Sequence, residues 1–311
     1  MDATSRGILT RIRTALALAL TALPLGGCQS VLFASLNTTN PRNGVEQRRG
    51  LVFDAAHRLA LDVYRPAQAE RAPLVVFFYG GSWVRGERAW YRFVGSALAA
   101  RGVVVAIPDY RKLPGVGLDG FMRDAATAVA WTRAHAAEFG ADADATFVMG
   151  HSAGGHVAAL LATDPEWLGG VGLRPRDLAG WIGLAGVYTF LPDDADDDDM
   201  LAVFGATAAS RRRASPLAWV TGAEPPTLLL HGSADHEVDP ANSRLLADAM
   251  RAAHDDVTLK LYPGIGHSAL LFALSQPLRA HAPTLDDVAA FVQARAATRD
   301  APADSPSGAA R

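Results

Sequence analysis

The run Phe147–His156 (FVMGHSAGGH) sets Ser152 midway between Gly150 and Gly154, giving G-x-S-x-G after an apolar stretch and before a helical one. That spacing permits a sharp strand-to-helix turn in which small flanking residues let the chain pack closely and push the serine hydroxyl outward. A serine hydroxyl is a weak nucleophile until a base takes its proton and a third group orients the base. In a chain with 29 glycines the motif carries weight only if those partners are present. Position selects His267 from nine histidines, because Pro263-Gly264-Ile265-Gly266-His267-Ser268 follows the last strand-like run. A mobile imidazole is expected there, at the carboxyl edge of a parallel sheet, where sites of open α/β folds gather. Asp235, in His231-Gly232-Ser233-Ala234-Asp235, lies just past the preceding run and at the same edge. The chain order is Ser152, Asp235, His267, a nucleophile, an acid and a base suited to acyl transfer. Tyr79-Gly80-Gly81-Ser82-Trp83 follows the first long apolar run, and its glycines can turn backbone N–H groups toward the serine. With the N–H of Ala153 they would receive the negative charge of a tetrahedral intermediate.

Strand-like and helix-like segments alternate along most of the chain, the pattern of βαβ units around a mostly parallel sheet flanked by helices. An opening antiparallel hairpin is expected at 51–54 and 59–64. Buried strands are expected at 74–79, 103–107, 146–149, 181–187, 227–230 and 257–262. Helices are expected at 90–100, 121–139 with Gly140 as C-cap, 155–163, 242–253 and 284–296. The segment 189–221 breaks this rhythm and reads as a lid-like insertion. Its acidic run, Asp193 to Asp199, lacks the spaced ligands and glycine of a calcium loop and reads as solvated. The hydrolytic domain is expected at 49–297, with a linker at 28–48 and a disordered Pro/Ser/Ala-rich tail at 298–311.

The chain resembles the α/β-hydrolases of the esterase/lipase group that includes hormone-sensitive-lipase-like carboxylesterases. It is most similar to the branch of kynurenine formamidases, isoprenylcysteine methylesterases and feruloyl-type esterases. The pieces that carry this are Tyr79–Trp83, Pro108-Asp109-Tyr110-Arg111, Gly150–His156, His231–Asp235 and Gly266-His267-Ser268. Serine, acid, histidine is also the order of that fold. The resemblance implies Ser152 as nucleophile, Asp235 as acid, His267 as base, and oxyanion donors at Gly81, Ser82 and Ala153. The family's His-Gly-Gly is Tyr79-Gly80-Gly81 here, so the Tyr79 hydroxyl is expected to hold the loop as the family's histidine does. Tyr79, Trp83 and His151 are substrate-pocket candidates. Asp109, Tyr110 and Arg111 are read as braces of the neighbouring loop through charge-assisted hydrogen bonds. His231, Asp235 and His236 are not spaced with a further ligand for a metal, so neither metal nor cofactor is expected.

Residues 1–27 read as a secretory signal: three arginines precede an apolar stretch too short to span a bilayer. It ends in Leu25-Gly26-Gly27-Cys28, which resembles the bacterial lipobox, making Cys28, the only cysteine, a lipid anchor. Gln29 after it points, by analogy, to the periplasmic side of a Gram-negative outer membrane. The whole chain has a net charge of −3, and losing the basic leader makes the rest more acidic, which argues against a nucleic-acid partner. The expected function is serine hydrolysis of a small-molecule carboxylic ester through an acyl-enzyme. A formamidase-type amidase with the same triad and a non-catalytic binding protein of the same fold are the alternatives.

Overall fold

The computed structural model describes residues 25–38, 43–190, 204–205 and 207–300. An eight-stranded sheet forms its centre, in the spatial order β1-β2-β4-β3-β5-β6-β7-β8. The strands are β1 (Val45–Asp54), β2 (Leu59–Pro66), β3 (Ala72–Phe78), β4 (Val104–Pro108), β5 (Ala141–His151), β6 (Gly180–Leu184), β7 (Thr227–Gly232) and β8 (Val257–Tyr262). β1 and β2 form the antiparallel hairpin, β2 pairs antiparallel with β4, and every pairing from β4 to β8 is parallel. The continuous apolar runs behave as strands covered on both faces should: each residue of β3, β4, β6 and β7 is buried. β1, at the edge, instead exposes Glu46, Arg48 and Arg49, charges that discourage pairing with another chain.

Helices cover both faces. In chain order they are α1 (Leu25–Thr38), α2 (Arg92–Ala99), α3 (Leu118–Ala134), α4 (Ala153–Thr163), α5 (Pro165–Gly169), α6 (Ala208–Ala214), α7 (Ala241–Ala252), α8 (His267–Phe272) and α9 (Thr284–Asp300). All eleven residues of α4 are buried, which places the helix that follows Ser152 in the interior. The helical run expected to reach residue 139 splits into α3 and a 3-10 turn, and the chain leaves that turn through Gly140 with φ 70°. A left-handed exit of this kind favours glycine.

Two differences from the sequence expectation bear on the site. α1 spans the boundary expected between signal (1–27) and linker (28–48), and buries Phe33 and Leu36. Phe33 stacks on Trp90 with ring centres 5.2 Å apart and meets Phe272 edge-on at 5.8 Å. In the segment after β6, α6 is tied to the body of the domain by Arg213, which pairs with Asp119 and Glu166. The acidic run lies outside the described residues.

Candidate active site

Ser152 occupies the turn between β5 and α4 with φ 55° and ψ −124°. For a non-glycine residue this is a sparsely populated conformation costing about 1–3 kcal/mol, retained only where the surroundings impose it. A Cβ at Gly150 would overlap the carbonyl of Gly154, and one at Gly154 would overlap that of Phe78. The two glycines therefore let α4 close onto β5 and β3. The Ser152 amide donates to the Leu184 carbonyl at 3.0 Å, fixing the turn against β6.

The loop after β3 lies directly on this turn, since a Cβ on Gly80 would stand 3.0 Å from that of Ser152. Gly81, Ser82 and Trp83 all have positive φ, at 128°, 53° and 59°. A Cβ at Gly81 would overlap the Arg85 carbonyl. Two strained non-glycine residues in succession need an external scaffold, and several contacts supply it. Tyr110 donates from its hydroxyl to the Tyr79 carbonyl at 2.7 Å, and the Leu113 amide donates to the Trp83 carbonyl at 3.0 Å. Trp83 donates from Nε1 to Nδ1 of His156 at 3.3 Å, and His156 donates from Nε2 to the Ala214 carbonyl at 2.7 Å. Burial drives the His156 pKa down to about 4, so the ring stays neutral and can accept at Nδ1. Among the described residues, the amides of Gly81, Ser82 and Ala153 donate no hydrogen bond. Three unspent donors beside the serine can receive an oxyanion.

His267 opens α8 rather than lying in a mobile loop. Its side chain is buried, and its Nδ1 lies 2.8 Å from Oδ2 of Asp235. Nδ1 faces a carboxylate and so carries the proton, which leaves Nε2 as the basic nitrogen. Asp235 also accepts at Oδ1 from the amides of Glu237 and Val238, each at 2.9 Å. Burial acts to raise its pKa, but the hydrogen bonds from His231, His267 and the Val238 amide prevail and hold it well below the carboxylate range. No hydrogen bond joins Ser152 Oγ to His267 among those of the described residues. Such bonds are often long until substrate is in place.

The three pocket candidates are all buried. Tyr79 is fully buried behind the loop, stacked between Tyr91 and Tyr110 at 5.2 and 4.9 Å. It donates to Oδ1 of Asp109 at 3.0 Å, so it supports the loop through a carboxylate. Asp109 is held in turn by Arg88, whereas Arg111 grips Asp124 on the far side of the same turn. His151 is buried against His267, with ring centres 4.6 Å apart, and donates from Nε2 to the His267 carbonyl at 3.2 Å. Burial, then the neighbouring His267, lowers its pKa to about 3, which keeps positive charge off the ring beside His267. Trp83 is buried in an aromatic cluster with His156, Phe190 and Phe204. Phe190 and Phe204 stand on either side of residues 191–203, so both ends of the insertion reach the loop after β3.

Sequence reasoning missed His156 and weighed His231 only as a metal ligand. The usable signals were the position of His156 one helical turn after the serine and of His231 four residues before Asp235. The metal-compatible group among the described residues is elsewhere, at Asp54, His57 and Asp124. Arg111 already spans both oxygens of Asp124, so a cation there would meet a guanidinium.

Residues 61–167 match the BD-FAE family. Esterase LipC of Mycobacterium tuberculosis is 34% identical over 73% of this chain and 60% of its own length. The isoprenylcysteine alpha-carbonyl methylesterase of Arabidopsis thaliana is 30% identical over 79% of this chain and 62% of its own. Esterase 2 of Thermogutta terrifontis superposes with a TM-score of 0.69 at 27% identity, covering 81% of this chain and 95% of that one. The chain belongs to the α/β-hydrolase esterase/lipase family. It spans only about three fifths of the two curated relatives named. Within this α/β-hydrolase, Ser152, Asp235 and His267 all follow the carboxyl ends of parallel strands, the edge where such folds bind ligands.

Proposed function

We propose that the protein is a serine hydrolase of carboxylic esters. The observation that carries this is the coincidence of a strained turn with a half-buried serine, three unspent amides beside it, and a buried Asp235–His267 pair at the same sheet edge. In the proposed reaction His267 Nε2 takes the Ser152 proton as Oγ attacks the ester carbonyl. The amides of Gly81, Ser82 and Ala153 stabilise the resulting oxyanion, and the protonated imidazole then delivers its proton to the leaving alkoxide. Water attacks the acyl-enzyme with His267 again as base, so the chemistry calls on no cofactor. The named relatives are esterases, and esterase 2 of T. terrifontis is known phosphonylated by sarin and with propionate bound. These support an ester substrate and an organophosphorus-sensitive serine.

Activity-based labelling with a fluorophosphonate, alongside a panel of p-nitrophenyl esters and aryl formamides, tests the proposal. Wild type is expected to label and to hydrolyse esters faster than formamides, and Ser152→Ala to do neither. Full labelling of Ser152→Ala would overturn the assignment, and a formamide preference would make the chain an amidase.

We further propose that Cys28 bears a lipid and holds the enzyme at the periplasmic face of the outer membrane, supported by the lipobox-like Leu25–Cys28. Among the described residues no helix is long and apolar enough to cross a membrane. Metabolic labelling with a fatty-acid probe should mark wild type and not Cys28→Ser, which should move to the soluble fraction. A wild type left unmarked refutes the anchor.

A further inference from the structure

Asp235 has a second imidazole. His231, at the end of β7, is fully buried, and its Nε2 lies 3.1 Å from Asp235 Oδ2 and 3.0 Å from the Val238 carbonyl. Two acceptors at Nε2 require its proton there, which leaves Nδ1 to accept from the Ser243 hydroxyl at 2.7 Å. Ser243 lies on α7 and is also fully buried. The oxygen that receives the His267 proton thus receives a second N–H, whose direction is locked by a serine on another element.

We propose that His231 is a positioning residue that acts through Asp235 to restrain the basicity of His267, with Ser243 fixing its tautomer. A carboxylate oxygen shared between two donors gives less of its charge to each, so the imidazolium form of His267 is stabilised less than by Asp235 alone. The base then remains neutral, and able to take the serine proton, down to a lower pH. The ionisable groups facing His267 are Asp235 and His231 from β7 and its following turn, and His151 from the serine turn. Arg279 and His281, on the turn after α8, are engaged with the Leu274 and Leu278 carbonyls. The proposal rests on the triad assignment above.

The test is the pH dependence of kcat/KM and of fluorophosphonate labelling for wild type, His231→Leu, His231→Gln and Ser243→Ala, with thermal melts as a check on folding. Losing one hydrogen bond to an ionised group should move the acid limb of His231→Leu upward by about half to one pH unit. The plateau rate should stay within about threefold, because the Glu237 and Val238 amides still hold Oδ1. His231→Gln, which retains an N–H donor, should restore the limb, and Ser243→Ala should shift it the same way by less. A purely structural histidine would lower stability and leave the limb in place. If folded His231→Leu keeps the wild-type limb, the proposal fails. If His231→Leu does not fold, an unmoved limb in Ser243→Ala overturns it instead. A wild type that neither labels nor hydrolyses esters would point to failure of the triad assignment itself.

Discussion

Tyr79 illustrates how one side chain can serve the reaction from behind the site. Its hydroxyl ends on Asp109, 3.0 Å away, and its ring is sandwiched by Tyr91 and Tyr110. Tyr79→Phe keeps both stacks and loses a single hydrogen bond while Arg88 still pairs with Asp109. The expected cost is about 1 kcal/mol, read as a fivefold or smaller fall in kcat. Gly81→Val strikes the loop directly, because φ is 128° and the Arg85 carbonyl fills the space a Cβ needs. Displacing one oxyanion donor should lower kcat about 10²–10³-fold. Kinetics of both variants on one ester check the pair, and near-wild-type turnover by Gly81→Val would remove this loop from the mechanism. Sequence made the nucleophile, acid and base candidates legible because each sits in a short motif after a strand. The partner of Tyr79 was not legible. Asp109 is 30 residues away in the chain, and only the pairing of β3 with β4 brings the two turns together.

At the scale of elements, α1 shows the same limit. Its sequence, LGGCQSVLFASLNT, has no charged residue and no strong amphipathic stripe, so nothing local distinguishes a docked helix from a linker. Its place is set by tertiary contacts: Asn37 donates to the carbonyls of Ala89 and Trp90 and accepts from the amide of Phe93. Phe33 fills the space between Trp90, Tyr91 and Phe272. By contrast, the core strands were legible within a few residues, because a run buried on both faces must be apolar throughout. Phe272 ends α8, the helix that His267 begins, so α1 braces the helix of the candidate base. Phe33→Ala should destabilise the fold by about 3–5 kcal/mol in urea titrations, as core phenylalanine truncations do. A loss below about 1 kcal/mol would mean that α1 is dispensable. If Cys28 is lipidated, the anchor leaves from the first turns of a helix packed into the domain, which ties the orientation of the enzyme at the membrane to its fold.

For the whole molecule, the buried ionisable groups set opposing pH dependences. His151 and His156 have pKa values lowered by burial to about 3 and about 4, against about 6.5 in an unfolded chain. From pH 4 to 6.5 the unfolded state binds two protons that the native state refuses, so these groups make stability rise with pH, by about 1.4 kcal/mol per unit for each proton. Asp255 acts in the opposite sense. Burial and the neighbouring Glu224 carboxylate raise its pKa to about 7, because Glu224 already accepts from the amides of Thr221, Gly222 and Ala223 and keeps its own charge. Oδ2 of Asp255 is buried with no hydrogen-bond partner, the place for a proton shared toward Glu224. An acid raised in the native state binds a proton that the unfolded chain has released, so its stabilisation is present below about pH 4 and is lost by about pH 7. Both residues precede β7 and β8, at the sheet edge opposite the candidate site, so activity should not follow this titration. Above pH 6.5 the histidines no longer contribute, and the Asp255 term alone makes wild-type stability decline by about 1 kcal/mol, solvent screening having weakened it. Asp255→Asn supplies an N–H to Glu224 at every pH. Its stability, from urea titrations at half-unit steps, should rise more steeply than wild type to about pH 6.5, the opposing Asp255 proton being gone, and then stay level to pH 8. A wild-type decline that persists unchanged in Asp255→Asn would place the titrating group elsewhere.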